Sequence, residues 1–343
     1  MEPITIWSCS GALLIVVINL HSLVTQGQAA DILLSMPYPL RTSHVSSMTA
    51  IVTALAANGH NVTLLTGSNR GVEQLKTELG IRPDKSVQSL LAEAHAVVAF
   101  SATDFSLDFP RPSVPNWIPI GGLLNKPSKP LTQEYEDFVN GAEEHGFIIF
   151  SLGSMVPRIP IESMVETFAR VFSELPQRVI WRCSGPKPRF LGNNTKLVDW
   201  LPQNDLLGMD IQKPVSWSIT EANGVFEAIY HGVPMVIIPL FAEQKSIGVK
   251  VKVKGMGEVV NKEDVSYETV RRAIRRVLDD QSYTSQAKLY SGIHHDKMFR
   301  PTETAVFWIE HVIKYGGLIS RLELRNSALF SFTILTSSYF ACS

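Results

Sequence analysis

The period of the apolar positions changes twice within the first third of the chain. Ala30 to Met36 is a short, mostly apolar run closed by Pro37 and Pro39, the form of a buried strand. Val45 to Asn58 then carries Val45, Met48, Ile51, Val52 and Leu55 at helical spacing and stops at Asn58-Gly59, a C-cap signal. Asn61 to Thr66 returns to β-branched and apolar residues. Strand, helix and strand in this order predict a βαβ unit with a right-handed crossover. Two amphipathic helices follow, one carrying Val72, Leu75 and Leu79 on one face and one over Val87 to Glu93, before the buried-strand run Ala96 to Phe100.

Asp108 to Pro130 holds six prolines and Gly121-Gly122, which predicts an extended connector and the domain boundary. Beyond it the alternation resumes. Strands are expected at Gly146 to Leu152, Arg178 to Arg182, Thr195 to Leu201, Val233 to Leu240 and Val259-Val260. Helices are expected at Ile161 to Leu175, Glu221 to His231, Lys245 to Gly255 and Tyr267 to Asp279. Such a pattern predicts an α/β fold, helices on both faces of a parallel sheet, with ligands at the carboxyl ends of the strands.

The ends carry a different signal. Ile4 to Val24 is mostly apolar and is followed by small residues at Gly27, Ala29 and Ala30, the character of a secretory leader over residues 1–29. An uncleaved anchor and a buried first helix are the other readings. Two glycosylation sequons, Asn61-Val62-Thr63 and Asn193-Asn194-Thr195, suit the secretory route. Ser327 to Ser343 is broken by five serines and two threonines, so no complete membrane-spanning helix is expected in the tail.

Composition narrows the classes. The 343 residues carry 31 Lys and Arg against 32 Asp and Glu, a formal net charge of −1, which argues against a nucleic-acid partner. With 45% hydrophobic and 18% charged residues the chain is built to fold, and its length suits about two domains. Three cysteines are too few for a disulfide scaffold.

Four segments carry candidate chemistry. In Phe150-Ser151-Leu152-Gly153-Ser154-Met155 a strand runs into small residues whose amides and hydroxyls, Ser154 among them, can bind a phosphate oxygen. A tight turn is the plainer reading. In Trp200-Leu201-Pro202-Gln203, an indole held by a following proline can stack on a flat ring and Gln203 can pair with that ring's edge, although tryptophan is more often core. Asn223 and Gly224 open a helix, where free N–H groups favour an anion, and Glu227 falls one turn later, within reach of paired hydroxyls. A simple N-cap with an exposed glutamate is the alternative. Glu243 and Gln244 end a buried strand with an acid and an amide that can contact sugar hydroxyls, or merely start a helix.

In this order and spacing the four segments resemble the animal UDP-glycosyltransferases, and the UDP-glucuronosyltransferase branch in particular. The wording is close in GGLLNKPSKPL (Gly121 to Leu131), FSLGSMV, WLPQNDLLG and EAIYHGVPMVIIPLFAEQ, and RPTETAVFWIEHVIKYGG resembles the family's closing helix. The resemblance implies a GT-B fold of two Rossmann-like, doubly wound domains. A truncated acceptor domain is expected over residues 30–120, a UDP-sugar-binding domain over 121–317 and a tail over 318–343. Carried over by position, Trp200 stacks on uracil, Gln203 contacts the nucleoside and Glu227 holds the ribose hydroxyls. Ser154, Asn223 and Gly224 lie by the diphosphate, and Glu243 and Gln244 meet the sugar. His44 matches the general base, whose neutral imidazole takes the acceptor's proton in a single inverting displacement.

The implied function is transfer of a hexosyl or glucuronosyl group from a UDP-sugar to a small lipophilic hydroxyl acceptor. No metal or further cofactor is implied, the UDP-sugar being a co-substrate. The implied location is the endoplasmic reticulum lumen, as a glycoprotein, with homo- or hetero-oligomers of family members as partners. The chain departs from the family in three places. Ser218 to Glu221 stands where a His-Gly-Gly element belongs, Glu243 replaces an aspartate, and only about thirty residues separate Thr66 from Val97. These departures give the alternative expectation, a catalytically impaired member that binds and modulates intact glycosyltransferases.

Overall fold

A computed structural model describes residues 5–9, 15–18, 31–36, 43–66, 96–113, 115–152, 162–209, 222–240 and 244–315. The first unit forms as its pattern requires. Asp31–Met36 (β3) pairs in parallel with Asn61–Thr66 (β4), and Ser43–Ala57 (α1) is the crossover helix. The helix closes at Gly59, whose φ of 88° is open to glycine at no steric cost.

Ahead of them, Thr5–Cys9 (β1) and Ile15–Ile18 (β2) are strands. β2 pairs antiparallel with β3, and β1 pairs in parallel with Ala96–Ser101 (β5). The apolar leader-like segment therefore takes extended structure in both described pieces, where a buried first helix was one expectation. Ile15, Val16, Val17 and Ile18 are all β-branched, and a stiff χ1 favours the pleated form.

The proline-rich connector is also more ordered than its composition predicts. Trp117–Pro119 (β6) adds to β5 as a parallel edge strand, with Pro119 at its last position where a missing N–H costs little. Ile120 N and Gly121 N continue the bonding, to Ser101 O at 2.7 Å and Thr103 O at 3.0 Å. The helices expected at Val72 to Leu79 and Val87 to Glu93 lie outside the described residues.

The second half begins with Gln133–Asn140 (α2), a helix not foreseen, and Phe147–Phe150 (β7). Then come Glu162–Ser173 (α3), Arg178–Arg182 (β8), Thr195–Val198 (β9), Gln203–Leu207 (α4), Ala222–Tyr230 (α5) and Met235–Ile237 (β10). Gln244–Val253 (α6), Gly257–Val259 (β11), Tyr267–Asp279 (α7), Gln281–His295 (α8) and Pro301–Tyr315 (α9) complete the described chain. β7, β8 and β9 form one parallel sheet, and β10 and β11 pair in parallel.

Alternate residues of these strands point into two cores, which is the signature of three layers. Ile148, Phe150, Val179, Trp181, Val236 and Ile238 pack with Phe168 and Phe172 of α3 and Ile274 of α7. Phe147, Ile149, Ile180, Met235 and Ile237 pack instead with Val225 and Ile229 of α5 and Val251 of α6. In the first of these layers Phe150 meets Phe168, Phe172 and Trp181 with ring centroids 4.8 to 5.3 Å apart, spacing that suits tilted and edge-to-face aromatics. A third core joins Ile51 and Leu55 of α1, Phe100 of β5 and Ile118 of β6 to Ala305, Ile309 and Val312 of α9. The last described helix thus returns to pack on the first βαβ unit.

Candidate functional site

β9 was expected to reach Leu201 and ends at Val198. Side chains take over the backbone there: Arg182 Nε donates to Asp199 O at 3.2 Å, and Tyr135 Oη donates to Trp200 O at 2.9 Å. The loop leaving the sheet edge is therefore held from both sides, and Trp200 stands out of it. Its side chain is not core: the residue is 72% exposed, with the Arg182 guanidinium 5.7 Å from the ring centroid. An exposed, backbone-anchored indole is available for stacking.

Pro202 caps the short α4, so Gln203 is its first residue. Gln203 Nε2 donates to Glu227 Oε2 at 2.8 Å. This contact joins two residues that the sequence singled out 24 positions apart. Glu227 lies in the second turn of α5, while Asn223 and Gly224 lie in its first turn, Asn223 half-buried and Gly224 buried. The amides of that first turn have no carbonyl one turn earlier within the helix, which makes it an anion-favouring end.

The other expected residues are placed less fully. Gln244 is the first residue of α6 and is buried, and its Oε1 accepts from Leu240 N at 2.8 Å. It braces the loop after β10. His44 is the second residue of α1, at the carboxyl end of β3, placed here by its backbone alone. Ser154, Glu243 and the departure at Ser218 to Glu221 lie outside the described residues. Among the described residues no cluster of three or more His, Cys, Asp or Glu side chains is arranged to hold a metal ion.

The connector motif runs along these helices. Lys129 N donates to Asp205 Oδ1 at 3.0 Å, Ser128 Oγ donates to Gly208 O at 3.1 Å, and Asn125 Nδ2 donates to Phe226 O at 3.0 Å. Asn204 and His231 bridge α4 to the end of α5 at 3.1 Å. Burial, helped by His295 and opposed by Asp205, pushes the His231 imidazole down to about 4, so it is neutral at ordinary pH and donates from Nε2 to Asn204 Oδ1.

Reading the sequence missed a buried polar node behind α5. Asp104, Ser106 and His294 are all buried, and the last two come from segments 188 residues apart. Burial opposes ionisation of Asp104, but hydrogen bonds from His294, Lys297 and Ser106 outweigh it and hold the carboxyl well below the usual range. His294-His295 at a helix end was the available signal, and nothing local pairs it with Asp104.

Comparisons with known proteins place the chain in a family. The family model described as UDP-glucoronosyl and UDP-glucosyl transferase matches residues 68–329. The 2-hydroxyacylsphingosine 1-beta-galactosyltransferase of Homo sapiens is 40% identical over 245 residues, 71% of this chain and 44% of that protein. The UDP-glucuronosyltransferase 2B13 of Oryctolagus cuniculus is 47% identical over 215 residues, 62% of this chain and 40% of that protein. The chain thus spans less than half the length of these curated relatives.

Among solved structures, the spinosyn forosaminyltransferase SpnP aligns with a TM-score of 0.62 at 15% identity, over 80% of this chain and 98% of that one. Os79 from O. sativa, solved with U2F and trichothecene, aligns at 0.52 and 17% identity, over 68% of this chain and 59% of that one. At such identities the likeness concerns the fold, which is the α/β GT-B arrangement of Rossmann-like domains. The matched span includes the segments of Trp200, Gln203 and Glu227, and on it the chain belongs to the UDP-glucoronosyl and UDP-glucosyl transferase family.

Proposed function

We infer that this chain binds a UDP-sugar in the loops at the carboxyl ends of its second set of strands and transfers the sugar to a small lipophilic hydroxyl acceptor. The observation that carries this reading is the Gln203–Glu227 hydrogen bond of 2.8 Å, with the exposed Trp200 three residues before Gln203. The arrangement supplies a flat surface for a uracil ring, an amide for its edge and a carboxylate for the ribose hydroxyls. The first turn of α5, with Asn223 and Gly224, and the segment of Ser154 serve the diphosphate. Glu243 and Gln244 serve the sugar. Galactose, glucose and glucuronic acid are the donor groups in the names of the family and its relatives.

His44 is the general base in this reading. A neutral imidazole at the end of β3 accepts the hydroxyl proton as the acceptor oxygen attacks the anomeric carbon and UDP leaves from the opposite face, so the configuration inverts. Residues 30–120 serve the acceptor and 121–317 the donor. No helix among the described residues is long and apolar enough to cross a membrane. The leader-like composition of residues 1–29 and the exposed Asn193 of the second sequon suit an endoplasmic reticulum lumen location.

Titration calorimetry with UDP tests the donor site. Micromolar-range binding by the parent chain is expected, with a loss of about tenfold or more in Trp200→Ala, since one base stacked on an aromatic contributes about 1–3 kcal/mol. Equal affinity in parent and variant rejects the stacking role. Turnover with UDP-glucuronic acid, UDP-glucose and UDP-galactose, abolished in His44→Ala, tests the transfer.

A further inference from the structure

Asn125 lies in the connector, outside every element of the second domain, yet one amide nitrogen of it makes two contacts. Its Nδ2 is 3.0 Å from the Phe226 carbonyl oxygen and 2.8 Å from His294 Nε2. A carbonyl oxygen can only accept, so the nitrogen end of the amide faces it and donates to both. His294 Nε2 is then an acceptor, and the ring carries its proton on Nδ1. That proton points to Asp104 Oδ1, 3.1 Å away, with Ser106 Oγ also 3.1 Å from Nδ1.

The far end is fixed as well. Lys297 Nζ pairs with Asp104 Oδ2 at 2.5 Å and donates to Gly121 O at 3.3 Å. The connector comes this close because Gly122 has φ 80° and no side chain. A Cβ there would sit 2.6 Å from the imidazole. The donor and acceptor roles along the series from Asp104 to α5 are thereby fixed, and donation runs outward from Asn125 both ways, through His294 to Asp104 on one side and to the Phe226 carbonyl of α5 on the other.

The series ends one residue before Glu227. α8 grips the same helix a turn later, where Ser291 Oγ and His295 Nε2 donate to Tyr230 O, both at 2.8 Å. We propose that Asn125 and His294 are positioning residues for the nucleotide site: they hold the Phe226 carbonyl, and with it the rotation of α5 that turns Glu227 toward Gln203 and a ribose. The irregular segment around Asn125, together with α5 itself, then sets how well the ribose hydroxyls are recognised. The proposal rests on the nucleotide-binding reading above and names what regulates that site.

The test compares calorimetric affinities for UDP and 2′-deoxy-UDP. The parent is expected to prefer UDP by about tenfold, the value of one hydrogen bond to a carboxylate. In Asn125→Ala the preference should fall to about twofold or less. His294→Ala should match it, whereas His294→Gln, which keeps an acceptor where Nε2 stood, should restore most of the preference. Asn125→Asp, equal in size but unable to donate, is the second variant should Asn125→Ala not fold, and it too should lose the preference. A preference undiminished in the folded Asn125 variant overturns the proposal while the nucleotide reading stands. A parent that binds UDP without any preference overturns the role of Glu227 and the proposal with it, and a parent that binds no UDP overturns both readings. A purely structural role predicts a lower melting temperature with the UDP to 2′-deoxy-UDP ratio unchanged, and that result also rejects the proposal.

Discussion

His231 shows how one residue can be legible in kind and not in role. It stands in the His231-Gly232-Val233-Pro234 turn after α5, and its imidazole is held neutral down to about pH 4. The unfolded chain takes up that proton near 6.5, so the unfolded state binds more protons as pH falls. Stability contributed above about 6.5 is therefore lost between about 6.5 and 4, and levels off below. Melting temperatures of the parent are expected to fall between about pH 7.5 and pH 4.5, and to fall less in His231→Gln. An equal slope in both would place the titration elsewhere. Trp200 makes the complementary point. Its type suggested either a stacking platform or core, and only the exposed ring decided against core.

At the scale of elements, the helices with a strong apolar stripe and end signals were read closely. α7 was expected at Tyr267 to Asp279 and occupies those residues, with a capping box at Ser266 and Thr269. α8 was not expected. Only Tyr283, Ala287 and His294 are buried along it, too sparse for a periodic signal, and it begins where Asp280 both ends α7 and caps the new helix by accepting from Ser282 N. Its fastening is polar: Tyr283 Oη donates to the buried Glu258 at 2.6 Å, and burial with that carboxylate pushes the phenol up to about 12. Glu258 also pairs with Lys252 at 3.4 Å and Arg276 at 3.3 Å, which ties α6, β11, α7 and α8 together. Tyr283→Phe is expected to cost about 1–2 kcal/mol in urea unfolding, because a buried carboxylate loses a donor while two cations remain. A cost near zero would mean water replaces the phenol.

For the whole molecule, α9 decides the architecture. The chain leaves the first βαβ unit, builds the second three-layer domain and returns, so that Ile309 packs against the core of α1, β5 and β6. Ile309→Ala is expected to destabilise this first core by about 2–5 kcal/mol. In urea the parent and variant should differ in the unfolding of this core, while the UDP-linked stabilisation, about 2.7 kcal/mol at 100 times Kd, should persist in the variant. Loss of UDP binding together with the first core would show that the two cores do not act as separate units. Just before that return, α8 and Lys297 lie against the segment that follows β5, where Asp104, His294 and Lys297 meet.

The sequence by itself determined what depends on neighbours along the chain. Alternating strands and helices, the Gly59 cap and the small residues after β7 are local or periodic facts, and they predicted the α/β fold, while the resemblance carried by the four motifs in their order pointed to the family and supplied the candidate site residues. What lay beyond it were contacts between residues far apart: Gln203 with Glu227, Asn125 with the carbonyl of Phe226, and Asp104 with His294. The physical reason is that hydrogen bonds and burial act over a few ångströms in space, whatever the separation along the chain. Asn125 was part of a recognised motif, but its work became visible only once a connector and two distant helices were folded against one another.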